Sequence, residues 1–135
     1  MAAFHAEALY LLGRLEDAEA AVRMSRDAST SDDYEAQALW RCAEAKLLAR
    51  RGRFDEAERL ASEAVATIDR IDEVNHQAQV RMGLAEVLRL AGKTDEALAA
   101  LDEARARYEQ KGNAVMADRA RALLDDLGAT ASPGS

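Results

Sequence analysis

Gly52-Arg53-Phe54-Asp55-Glu56-Ala57-Glu58-Arg59-Leu60-Ala61-Ser62-Glu63-Ala64-Val65 reads as a tight turn feeding an amphipathic helix whose inner face carries small residues. The same signal stands earlier as Gly13-Arg14-Leu15-Glu16-Asp17-Ala18-Glu19 and later as Gly92-Lys93-Thr94-Asp95-Glu96-Ala97-Leu98. From Gly13 to Gly52 is 39 residues, and from Gly52 to Gly92 is 40. One turn and two helices at a fixed period in this range are the signature of a helical solenoid. A fold of that kind presents a surface, so the pattern points to binding and leaves the ligand unnamed.

At an offset of 40, Ala38, Arg41, Ala45, Leu48, Gly52, Asp55, Glu56, Ala57, Glu63 and Ala64 recur as Ala78, Arg81, Ala85, Leu88, Gly92, Asp95, Glu96, Ala97, Glu103 and Ala104. The alanines and leucines lie at helical spacings and form one inner stripe. Alanine at Ala45 and Ala57 lets two antiparallel helices approach closely, and Leu48 and Leu88 fill the space one turn further along. Asp55 and Glu56 open their helix, where acids suit the positive end of the dipole.

Taken in order, the chain reads as seven helices. The first spans about 2–12 and lacks a cap before it. It begins inside the repeat pattern, which suggests a chain cut from something longer. Gly13 ends it. The second spans about 15–27 with Ala18, Ala21, Val22 and Ser25 inward. Ser31 or Thr30 is expected to cap a helix running to about Arg51. The next runs from about Asp55 to Ile71, Asp72 caps a helix running to Ala91, and Thr94 caps one over about 95–110. Lys111-Gly112-Asn113 stops it, and a last helix runs from Ala114 to Leu127 before Gly128. That layout makes one domain over 1–128, with units at about 1–28, 32–71 and 73–111, a capping helix over 114–127 and a disordered tail at 129–135. The alternation of a strand is absent.

The motif Leu48…Gly52-Arg53-Phe54-Asp55-Glu56-Ala57…Ala64 resembles the tetratricopeptide repeat (TPR) family, and the resemblance extends over about Ala2 to Leu127. It implies an all-α, right-handed α-solenoid of antiparallel helix pairs. The units depart from the family's usual period of about 34 by five or six residues. Thr94 stands where an aromatic is usual, and the proline between units is missing. The longer form is similar to the TPR regions in C-terminal parts of bacterial multidomain signalling and regulatory proteins.

In that family the first helix of each pair lines a concave groove. The resemblance therefore implies a groove with Glu7 and Tyr10, then Leu39, Cys42, Lys46, Ala49 and Arg50, then Gln79, Met82, Glu86 and Arg89. Asp118, Ala122 and Asp125 follow from the last helix. The competing reading of each is a solvated helix face. Cys42, Lys46, Met82, Glu86 and Arg89 also hold the places where heat-shock co-chaperones grip a C-terminal carboxylate, so that clamp is absent. The expected function is a non-catalytic scaffold for a protein or peptide partner. The alternative is a ligand-sensing segment of a transcriptional or nucleotide-signalling protein, for which a deep apolar pocket near Met82 and Cys42 is the discriminating feature.

Composition narrows the classes further. The chain has 135 residues and a formal charge of −7, which argues against nucleic acid as the partner. No apolar run approaches the ~20 residues of a membrane span, and Met1-Ala2-Ala3-Phe4-His5 shows no secretory signal. Cys42 is the single cysteine, so no intrachain disulfide forms and a reducing cytoplasm fits. Only three of the 18 basic residues are lysines, a bias that points to a bacterial source. His5 and His76 have no second ligand at metal-binding spacing, and no phosphate loop or nucleophile motif is present, so neither cofactor nor metal nor catalysis is expected. Trp40 reads as core through its spacing from Ala43 and Leu47. Phe4, Leu11 and Leu12 read as partly exposed, which predicts either a homodimer through the N-terminal unit or docking of that unit to the remainder of a larger protein.

Overall fold

The computed structural model describes residues 14–131, which form six helices and, among these residues, no strand. They are α1 (Leu15–Ala28), α2 (Tyr34–Arg50), α3 (Phe54–Ile68), α4 (Val74–Leu90), α5 (Thr94–Lys111) and α6 (Ala114–Ala131). Consecutive helices pack on one another, and α2 also packs on α4. The arrangement is an α-solenoid built from the helix pairs α2–α3 and α4–α5, with α6 laid against α5. The predicted helix over 2–12 lies outside the described residues.

Two sequence features set this architecture. Gly52, Gly92 and Gly112 have φ near +80°, the left-handed region that glycine enters without strain. After Gly52 the chain closes with Gly52 N–H donating to Ala49 O at 3.0 Å and Arg53 N–H to Leu48 O at 3.0 Å. The same pair of bonds recurs around Gly92 and Gly112, satisfying carbonyls that the helix end would leave open. Turns 51–53 and 91–93 are short, so the residues beyond the common repeat length go into longer helices.

The second feature is the alanine stripe. Ala38, Ala45, Ala57, Ala64, Ala78, Ala85, Ala97 and Ala104 are all buried. Ala45, Ala49, Ala57 and Ala61 meet with Val87 in one cluster, and Ala64 and Ile68 meet Ala38, Leu39, Cys42 and Val80 in another. Helix faces this flat interlock closely, and the space left over is filled by a few larger groups, of which Ile68, Val80 and Val87 are fully buried. Leu88 is buried but Leu48 only partly so, packing against the edge of its cluster.

The recurring Arg41, Arg81, Glu63 and Glu103 form ion pairs across each helix pair. Arg81 is buried on α4. Its Nη1 and Nη2 donate to the Asp69 carboxylate at 2.9 and 2.6 Å, and its Nε donates to Glu103 at 3.2 Å. It thereby ties the end of α3 to α5. Arg41 stands 3.9 Å from Glu63 and donates to Gln37 O at 3.0 Å. Hydrogen bonding from Arg81 is the main cause holding the Asp69 carboxyl below its ordinary range, and the same bond pushes the Arg81 guanidinium up.

Several expectations are corrected. The cap of α2 is Asp33, whose Oδ1 accepts from Ala36 N–H at 3.0 Å, rather than Thr30 or Ser31. Glu73 and Lys93 occupy the cap positions of α4 and α5 and make no side-chain cap bond, so Asp72 and Thr94 do not cap; Thr94 is already helical. Helix α3 stops at Ile68, because a tight turn returns Ile71 to the Ala38–Leu39 cluster. Helix α6 continues through Gly128 to Ala131, since Gly128 keeps an ordinary φ. Trp40 is only half-buried: its indole N–H donates to Gln37 Oε1 at 3.1 Å, and Arg41 stacks over its ring. The core at that seam is Ala43 and Leu47 against Ala18, Ala21 and Val22.

Candidate functional site

The groove residues named from sequence separate into two groups. Leu39, Cys42, Lys46 and Ala49 on α2 are buried. They sit in the seam where α4 crosses α2. Gly83 makes that crossing close: a Cβ there would lie 2.2 Å from Cys42 Sγ and 4.0 Å from Lys46 Cδ. The thiol contacts Val80 O at 3.9 Å. Arg50 and Arg89 are exposed, while Gln79, Met82 and Glu86 are half-buried on α4. Glu7 and Tyr10 lie outside the described residues.

One repeat further on, the seam opens. At the offset of 40, Cys42 becomes Met82 and Gly83 becomes Leu123. A thiol against bare backbone is thus replaced by two long side chains. The backbones of α4 and α6 accordingly approach far less closely than those of α2 and α4. The gap is a cleft floored by Leu101 of α5 and Ala85 of α4, walled by Met82, Leu123 and Leu127, and rimmed by Glu86 and Arg89. Glu86 and Arg89 are joined by an ion pair, which leaves the apolar floor as the cleft's main chemical character. Its volume is about 50 Å³, room for little more than one aliphatic side-chain tip on the scale of a ~30 Å³ water.

Met82, Glu86 and Arg89 are therefore brought together by the structure, whereas Lys46 is sealed away from them. Asp118, Ala122 and Asp125 are exposed on α6, but the face turned to the cleft carries Leu123 and Leu127. Sequence reasoning missed these two leucines, together with Leu101 and Ala85. The signal was present: the 40-residue register that aligned the two central units also aligns Leu123 with Gly83. Leu123 remains 40% exposed, and Val115 on the same helix 78%. Around the far side of α6, Arg121 pairs with Glu109 and Asp118, and Glu109 is held below the usual carboxylate range chiefly by the Arg121 hydrogen bond.

Among the described residues no helix is long and apolar enough to cross a membrane.

A packed series of helix pairs, left-handed glycines between paired helices and a small-residue stripe define a helical repeat protein. The Tetratricopeptide repeat family profile matches residues 34–110, more than half the chain, and a second Tetratricopeptide repeat profile matches residues 2–24. The chain belongs to the tetratricopeptide repeat family. Repeats of this family generally mediate protein–protein interaction and typically act as non-catalytic scaffolds. Comparison with curated proteins and with solved structures gives no match.

Proposed function

We propose that this module is a non-catalytic scaffold that holds a protein or peptide partner by seating one bulky aliphatic side chain in the cleft between α4 and α6. The observation that carries the reading is the pairing of Met82 with the exposed Leu123 over an apolar floor, at a seam left open between α4 and α6. Exposed apolar surface set in a polar rim is where partners dock. Gln79, Glu86 and Arg89 border that anchor on α4, with Arg50 further along the solenoid. Lys46 supports the scaffold from within. The repeats form a single binding domain in which α6 serves as the terminal cap.

The size of the cleft favours this over the ligand-sensing alternative. Small-molecule sites enclose about 300–1,000 Å³, several times the room here. The long repeat period and the arginine-rich composition support a fragment or relative of a bacterial, cytoplasmic regulatory protein. An N-terminal homodimer remains part of the proposal, read from Phe4, Leu11 and Leu12. Light scattering over a concentration series tests it, and a constant monomer mass removes it.

Selection of displayed peptides on the full chain tests the cleft. Enriched peptides are expected to share a leucine, methionine or phenylalanine, and Leu123→Asp and Met82→Glu are each expected to weaken them at least ~10-fold, about 1.4 kcal/mol. Circular dichroism reports whether the helices persist. Peptides that bind both folded variants undiminished would sink the proposal.

A further inference from the structure

Three side chains with metal-binding chemistry meet away from the cleft, at the end of the solenoid where α2 and α4 begin. Glu35 stands in the first turn of α2, Glu73 at the cap position of α4, and His76 in its first turn. His76 Nδ1 lies 3.1 Å from Glu73 Oε2, and Nε2 lies 3.5 Å from Glu35 Oε1. One donor atom from each residue falls within 4.8 Å of the other two. All three side chains are half-buried. Glu73 and His76 lie three residues apart at the start of α4, and only the fold brings Glu35 of the preceding repeat to them.

The imidazole explains why this group differs from an ordinary patch of surface acids. A neutral imidazole carries a proton on one nitrogen and a lone pair on the other. Here a carboxylate oxygen stands beside each nitrogen, at 3.1 Å for Glu73 and 3.5 Å for Glu35, so the ring and both acids share one small volume. Two carboxylates also converge where solvent screens them only in part, on a chain of net charge −7. A cation held by one ring nitrogen and one oxygen of each carboxylate meets three donors that the fold has already gathered.

We infer that Glu35, Glu73 and His76 bind a divalent transition-metal ion of the zinc type. One nitrogen and two carboxylate oxygens form a borderline donor set of the kind such ions take, with water completing the shell, whereas magnesium and calcium prefer all-oxygen surroundings. The ion joins the start of α2 to the start of α4, so binding stabilises the stacking of two repeats.

The test is titration of zinc chloride into the chelator-stripped full chain at pH 7.5, followed by calorimetry and thermal unfolding. One ion per chain and a raised midpoint are expected. His76→Gln and Glu35→Gln each lower the affinity at least ~10-fold, the loss that even an outer-shell partner brings, while His5→Gln leaves it unchanged and excess magnesium does not compete. If either variant fails to fold, the wild-type chain decides the matter by NMR: zinc must shift the His76 ring resonances and spare those of His5. No saturable zinc binding overturns the inference, as does binding that survives His76→Gln. A midpoint that rises on mild acidification without zinc, and no further with it, also overturns it and makes a proton the counter-ion.

Discussion

The sulfur of Cys42 occupies the space that a side chain at position 83 would need, with an ideal Cβ on Gly83 falling 2.2 Å from it. A glycine inside α4 is unfavourable by about 1 kcal/mol relative to alanine on helix propensity alone. Its presence is explained by the crossing, since only a bare backbone admits the thiol. Gly83→Ala is therefore expected to destabilise the fold by a net of up to ~2 kcal/mol, overpacking of about 1–3 kcal/mol set against the gain in propensity. Cys42→Ala vacates the site, so the double variant should be more stable than Gly83→Ala alone. Urea denaturation of the four proteins in the cycle measures the coupling; additive effects would show that the two residues do not share the contact.

Removing Asp69 from Arg81 leaves a buried guanidinium with Glu103 as its remaining carboxylate. Breaking a fully buried pair costs about 3–5 kcal/mol. Asp69 is partly exposed and Arg81 keeps a second acid, so Asp69→Asn is expected to cost a smaller ~1–2 kcal/mol at pH 7. The pH dependence has a definite sign. Asp69 has its folded pKa depressed, so its stabilisation is complete above the unfolded value of about 3.9 and is lost as pH falls through the lower folded value. The gap between wild type and Asp69→Asn should hold from pH 7 to about 5 and close below about 4. A gap that instead widens in acid would contradict the assignment.

The left-handed glycines at helix ends and the uncrowded helical Gly128 should respond oppositely to alanine. Gly52 and Gly92 hold φ of +79° and +80°, where an L-residue costs about 1–2 kcal/mol. Gly52→Ala and Gly92→Ala should each lower stability by that amount. Gly128 is helical, and a Cβ there meets nothing within 4 Å. Gly128→Ala should raise stability by up to ~1 kcal/mol. Thermal midpoints of the three variants check the contrast.

Two aliphatic truncations rank the core. Ile68 is fully buried between Ala64 and Val80, and Ile68→Ala should cost about 2–5 kcal/mol. Leu48 recurs as Leu88 in the repeat pattern but is only partly covered, so Leu48→Ala should cost about 1–2 kcal/mol. Equal losses in chemical denaturation would mean that recurrence, rather than burial, tracks the energetics.

The chain by itself determined its class and most of its helices. Alanine at a helical spacing, with glycine where φ must turn positive, needs no tertiary information to read, because each follows from local geometry. Caps were less legible. Asp33 lies in a run of five potential capping residues, Ser29 to Asp33, and competing positions of similar local energy are separated only by how the loop is pulled onto the next helix.

What the tertiary structure alone decided was which face of each helix is left open. Cys42 and Lys46 on α2 share a helical register with Met82 and Glu86 on α4, yet the first pair is buried and the second borders the cleft. The difference is made by the residue opposite: Gly83 lets α4 close over α2, and Leu123 props α6 away from α4. The same limit hid the meeting of Glu35 with Glu73 and His76. Periodicity along one chain specifies what turns inward, but whether a seam closes depends on the volumes of two side chains that lie about 40 residues apart in sequence and touch only after folding.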